Sequence, residues 1–290
     1  MRRILVMLAV LVAMFGSLST PASAITGNYV EDFEHPYVGL VVFYDEDGEF
    51  LHRCSGSLLT PYVFLTAGHC TDGATSAIVY FQQDAGAKYD PETEVDPITG
   101  YPETCAAGTL GKLCATSDEV ITYPGYYAGT FPNTGDVGLV ILDQPIQLAE
   151  YGVLAEAGSL DRLATRRGRQ DLTFTSSGYG LTRINPVFLE SYRSRLMATS
   201  RLTNLRSALT GGYNIQLNGN GKGSGGTCFG DSGGPVFYGG YTSNTIVAVT
   251  SFGLNGNCAG VDFAFRTDQA AVIEWILATS GTDDIQFVKI

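Results

Sequence analysis

Histidine is scarce in this chain: His35, His52 and His69 are the only three in 290 residues. Chemistry that needs a base near neutral pH must draw on one of them, because imidazole is the side chain whose ordinary pKa lies in that range. Long apolar runs are also missing. The longest, Ile4 to Phe15, is twelve residues, whereas a membrane-spanning helix needs about 20. Positive charge is low, with 17 Lys and Arg against 29 Asp and Glu and a net charge of −12. An acidic chain without a basic stripe repels nucleic acid, so no nucleic-acid partner is expected. The short cluster Arg166-Arg167-Gly168-Arg169 reads as a solvated loop rather than a binding patch. There is no Cys-x-x-Cys pair, which argues against a zinc cluster and for no metal at the site. No internal repeat is visible.

What is present begins with an export signal. Met1-Arg2-Arg3 is followed by the twelve apolar residues and then by Ala22-Ser23-Ala24, the pattern of a secretory signal peptide over residues 1–24. A retained anchor is the alternative reading. Cleavage after Ala24 would leave 266 residues, enough for one large all-β domain or two smaller halves. Without Arg2 and Arg3 that exported chain carries −14. It is expected to be secreted, extracellular and free of the membrane. Six cysteines in such a chain imply three disulfides, with fifteen possible pairings.

Three segments carry the chemistry. In Thr227-Cys228-Phe229-Gly230-Asp231-Ser232-Gly233-Gly234-Pro235, glycines flank a serine. They permit a tight turn that would aim the N–H groups of Gly230 and Ser232 at one point, where a developing oxyanion could sit. A Gly-rich surface loop with a chance serine is the plain alternative. His69 lies in Leu65-Thr66-Ala67-Gly68-His69-Cys70, after the apolar run Tyr62-Val63-Phe64-Leu65, so a strand would end in a turn that exposes the imidazole. Asp136 opens Asp136-Val137-Gly138-Leu139-Val140-Ile141-Leu142. An acid at the head of an apolar strand suggests a buried carboxylate, which needs a partner. Alone, each could be an ordinary turn residue or a strand-start acid.

Together, in the order His, Asp, Ser, these segments resemble the signatures of the chymotrypsin/trypsin family of serine endopeptidases. The resemblance runs from about Ile25 to Leu277. It implies an all-β fold of two packed six-stranded antiparallel β-barrels, over residues 25–150 and 151–266, with a C-terminal helix and tail over 267–290. It makes His69, Asp136 and Ser232 the catalytic residues, with Gly230 and Ser232 forming the oxyanion hole. The implied disulfides are Cys54 with Cys70 and Cys228 with Cys258, leaving Cys105 with Cys114. Ile25-Thr26-Gly27-Asn28 resembles the family's activated N-terminus, so Ile25 and Asp231 form the implied activation pair. Val249-Thr250-Ser251-Phe252-Gly253 is similar to the strand that binds substrate backbone. Gly226 falls at the family's pocket-floor position, with Gly253 and Gly260 on the walls, which implies cleavage after large apolar residues. Asp262 is the competing signal, because a carboxylate on the wall would favour Arg or Lys. An inactive binding homologue on the same fold is the further alternative. The expected partners are protein or peptide substrates and protein inhibitors, and the expected state is a monomer.

The local pattern fills in the rest. Strands are expected at Val38–Tyr44, Phe50–Leu59, Ile78–Gln82, Val137–Leu142, Leu172–Gly180 and Ile246–Phe252, and a helix over Thr267–Ala278. Residues 84–117 form an acidic insert that is long for a compact domain. Its Asp84, Asp90, Glu92, Glu94 and Asp96 do not follow the EF-hand pattern. A solvated loop is favoured over a calcium site, and no cofactor is expected.

Overall fold

The computed structural model describes residues 25–85, 113–127, 130–164, 171–185, 188–190 and 193–290. The described chain begins as a strap. β1 (Thr26–Gly27) and β2 (Tyr29–Glu31) are short and pair with strands from much later in the sequence. The first sheet comprises β3 (Val38–Tyr44), β4 (Phe50–Leu58), β5 (Val63–Thr66), β6 (Ser76–Tyr80), β7 (Cys114–Ser117), β8 (Glu119–Thr122) and β9 (Gly138–Ile141). Its spatial order is β7-β6-β3-β4-β5-β9-β8, a nearly closed barrel. A single helical turn, α1 (Gly68–Thr71), follows β5. Strand β3 shows why the barrel forms: Val-Gly-Leu-Val-Val-Phe-Tyr has no polar alternation, and its first six residues are buried. The core around it continues into the second half of the chain through Tyr179, Phe237 and Phe265.

The second half adds β10 (Val153–Ala155), β11 (Thr173–Gly178), a hairpin of β12 (Arg183–Asn185) and β13 (Phe188–Glu190), β14 (Leu196–Asn204), β15 (Asn214–Asn218) and β16 (Gly225–Gly226). β17 (Pro235–Tyr238), β18 (Thr245–Gly253), β19 (Val261–Arg266) and β20 (Phe287–Val288) complete it. Nine of the strands, β2 included, form one sheet that closes through β17 and β18. Two of its pairings are parallel, β10 with β18 and β10 with β20. The expected two barrels and C-terminal helix are therefore present, with seven and nine strands in the sheets. The helix α2 (Ala270–Ser280) buries Val272 and Ile276, one turn apart on one face. It starts three residues later than its sequence pattern suggests. Thr267 and Asp268 are drawn into the protein, where Asp268 accepts both Arg266 Nε and the Leu160 N–H at 2.8 Å.

Candidate active site

Strand β5 delivers α1 to the cleft, and Cys70 of α1 is tied to Cys54 of β4 by a disulfide. On that turn, His69 donates its backbone N–H to Asp136 Oδ1 at 2.8 Å, and its Nδ1 lies 2.9 Å from Asp136 Oδ2. Ser251 Oγ, from β18 of the second barrel, donates a short hydrogen bond to the same carboxylate. Asp136 is buried just before β9, as an acid with partners can be. Burial alone would raise its pKa, but the His69 ring and the three hydrogen bonds hold it below the usual carboxylate range. The His69 side chain keeps about 32% of its surface exposed. Burial would lower its pKa, and the facing carboxylate overrides that and raises it.

Ser232 reaches the cleft from the second barrel. The turn before β17 uses left-handed backbone at Gly230 (φ +95°) and Gly233 (φ +76°), which glycine adopts without strain. Its ends are pinned: the Ser55 N–H donates to Ser232 O and the Gly233 N–H to Thr250 O, both at 2.8 Å. Among the described residues, neither the Gly230 nor the Ser232 N–H has an acceptor, so both remain available to a ligand. Ser232 Oγ is not hydrogen-bonded to His69 in this structure; in ligand-free sites such bonds are often long and tighten on binding. Asp231 points inward and is fully buried, accepting the Gly180 N–H at 2.8 Å and the Cys228 N–H at 2.9 Å. Burial pushes its carboxyl up to about 7 against those two donors.

A cleft of about 390 Å³ opens beside Ser232, lined by Ser251, Phe252, Gly253, Cys258 and Asp262 among others. Gly226 and Gly260 lie instead along a second hollow of about 260 Å³, and Asp262 lines both. The reason is local. β16 pairs with β1, and a Cβ built on Gly226 would come within 2.6 Å of Asp262 Oδ2. The carboxylate of β19 thus fills the seat that a side chain at 226 would take. Asp262 accepts the Thr227 N–H at 2.8 Å, and burial pushes its carboxyl up to about 6.

The Cys228–Cys258 disulfide is present as expected. Cys114 is disulfide-bonded in β7, and its expected partner Cys105 lies outside the described residues. Cys54, His69 and Cys70 place possible ligand atoms within 4.8 Å of one another. The two sulfurs are joined in a disulfide, so neither is a thiolate and the trio does not fit a metal. Of the acidic insert, Asp84 bridges to Ser194, whereas Asp90, Glu92, Glu94 and Asp96 lie outside the described residues, as does the Arg166–Arg169 cluster. The bond from Ser251 to Asp136 is invisible in sequence. Ser251 stands out there only as part of the stretch that resembles the family's substrate-binding strand.

Two β-barrels that meet over a histidine–aspartate pair and a glycine-flanked serine define a serine protease of chymotrypsin fold. A family model described as Trypsin matches residues 25–276, and the chain belongs to that family of serine endopeptidases. Brachyurin of Leptuca pugilator is 27% identical over 236 residues, covering 80% of this chain and 89% of that protein. Serine protease 7 of Drosophila melanogaster is 27% identical over 267 residues; the match takes in 87% of this chain and 64% of the longer relative. Among solved structures, HL collagenase superposes with a TM-score of 0.65 at 19% identity, over 89% of this chain and 99% of that one.

Proposed function

We propose that this protein hydrolyses peptide bonds with Ser232 as nucleophile, His69 as general base and acid, and Asp136 as the group that orients the imidazole. The observation that carries this reading is the convergence on Asp136: His69 from the first barrel and Ser251 from the second bond the same buried carboxylate. In the first step Ser232 Oγ attacks the substrate carbonyl carbon and its proton passes to His69 Nε2. The carbonyl oxygen, now anionic, accepts the free N–H groups of Gly230 and Ser232. Collapse expels the amine, protonated by His69, and leaves an acyl-enzyme that water cleaves by the same route. An inactive homologue is the competing reading, and a serine-reactive phosphonate separates the two. Stoichiometric labelling of Ser232 is expected, and an unlabelled, folded protein would defeat the proposal.

The pH profile follows from the His69 pair. The base must be neutral, and Asp136 raises the histidine above its ordinary value of about 6.5. Acidification protonates it, so kcat/KM for an uncharged substrate should fall about tenfold per unit below an apparent pKa above 6.5. A limb centred below 6 would contradict this.

For the residue before the cut, we propose large apolar side chains such as Phe, Tyr, Leu and Met, held between Phe252, Gly253 and the Cys228–Cys258 wall. The position of Asp262 supports a second, basic preference. A charged hydrogen bond to that carboxylate contributes about 2 kcal/mol, roughly thirtyfold. Phe and Leu substrates are therefore expected to lead, with Arg and Lys accepted through Asp262. Asp262→Asn should cut kcat/KM for Arg and Lys more than tenfold and leave Phe within threefold. The ratio of Arg to Phe cancels the shared His69 limb and should fall as pH drops through about 6, where Asp262 becomes protonated. Arg turnover untouched by Asp262→Asn would reject the basic route. A wild-type preference for Arg or Lys above tenfold would reject the apolar one. Export, with Ile25 as the mature terminus, completes the proposal.

A further inference from the structure

Outside the cleft, the strap ends in a buried polar knot that the mechanism above does not use. Asp32 is completely buried and accepts the N–H groups of Glu34 and His35 at 3.1 and 3.0 Å. His35 Nδ1 lies 2.8 Å from the same carboxylate, and His35 Nε2 lies 3.0 Å from the carbonyl of Ser243. The imidazole stacks on Phe237 of β17, with ring centroids 4.2 Å apart. Ser177 Oγ, in β11, donates to Asp32 Oδ2 at 2.5 Å, and Arg195 Nε donates to the Asp32 carbonyl at 2.9 Å. Burial would raise the Asp32 carboxyl, and His35, Ser177 and Arg195 together hold it below the ordinary range. Removing one member of such a network leaves a buried polar group unpaired, so its parts are fixed relative to one another.

The knot's grip on β11 and β17 gives it a consequence for chemistry. Ser177 is followed directly by Gly178-Tyr179-Gly180, and the Gly180 N–H is one of the two donors that hold Asp231. A Cβ on Gly180 would come within 2.6 Å of the Asp231 carboxyl carbon, so the spacing between that segment and the serine turn has no slack. β17, which begins just after Gly234 and pairs with β11, carries the ring on which His35 stacks. From this contact path we infer that Asp32 and Ser177 are positioning residues for the serine turn: they fix the height of Gly180 against Asp231, and through it the aim of the Gly230 and Ser232 N–H groups. The knot contributes nothing to the cleft walls, so its loss should weaken oxyanion binding and leave ground-state binding alone. This inference rests on the proposed role of Gly230 and Ser232.

The test compares two peptides that differ at one group. A peptide aldehyde adds reversibly to Ser232 Oγ and places its oxygen on the two N–H groups, whereas the matching peptide alcohol only occupies the cleft. Their affinities are measured on wild type, Ser177→Ala, Asp32→Asn and Ser177→Thr, which keeps a hydroxyl. The ratio of aldehyde to alcohol affinity is expected to fall at least fivefold in Ser177→Ala and Asp32→Asn, and to stay within twofold of wild type in Ser177→Thr. If Asp32→Asn does not fold, Ser177→Ala decides alone. A smaller fall in Ser177→Ala, including equal weakening of both ligands, overturns the inference. A wild-type protein that binds the aldehyde no better than the alcohol defeats the oxyanion reading itself.

Discussion

Ser232→Ala and His69→Ala should each lower kcat/KM by about four to six powers of ten, since the members of a nucleophile–base unit fail together. Folding should survive both. Ser232 Oγ has no hydrogen-bond partner among the described residues, so its loss strands no buried group. His69 is about a third exposed, and its loop is held independently by the Cys54–Cys70 disulfide. The measurement is turnover of a peptide substrate by purified variants whose melting temperatures lie within a few degrees of wild type. Residual activity within a hundredfold of wild type in either folded variant would remove that residue from the chemistry.

The second large effect concerns the end of the strap. Asp231 is a fully buried carboxyl with two backbone donors, and burial holds it near 7. We propose that an ammonium at Ile25 pairs with it as an ion. Ile25 is itself fully buried against Leu196 and Ala198, and the next residues run along Gly225–Gly226 beside the serine turn. We propose that cleavage after Ala24 creates this ammonium, so that removal of the signal peptide and activation are one event. Breaking a buried ion pair costs about 3–5 kcal/mol, and at about 1.4 kcal/mol per power of ten the competent conformer would be depleted by about two to four orders of magnitude. Protein that begins at Ile25 should therefore exceed protein with a Gly-Ser extension by at least a hundredfold in kcat/KM. Equal activity of the two would refute the pairing, and so would an exported protein with a terminus other than Ile-Thr-Gly-Asn.

The elements legible in sequence were those whose pattern is local. Val38–Tyr44 matches its strand residue for residue. The apolar run at 246–252 and the helical spacing of Val272 and Ile276 also mark real elements, extended or shifted by one to three residues. The three segments bearing His69, Asp136 and Ser232 could be picked out because flanking glycines and an acid heading an apolar strand are short-range signals, and because their order resembles the family's signatures. What stayed hidden depends on partners far away. Asp32 and His35 look like loop residues until Ser177 and Ser243 arrive beside them. Arg195 is buried among the carbonyl oxygens of Asp32, Val38 and Phe81, all more than a hundred residues away in sequence, so its local pattern does not mark it. Gly226 stands at the expected pocket floor by counting back from Ser232, but the neighbouring strand supplies a carboxylate at that spot, and counting along one strand cannot reveal it.

The weave of the second barrel sets the order in which its sheet can be assembled. The first barrel's strands run from Val38 to Ile141, so every one of them has been made before the second barrel is half complete. The second barrel takes one strand from Tyr29–Glu31 and another from Phe287–Val288, residues from the two ends of the described chain. Its nine-stranded sheet is complete only once Phe287–Val288 lies beside β10. Removing Phe287–Val288 would therefore leave one edge of β10 unpaired, while the seven-stranded first sheet would keep every one of its strands.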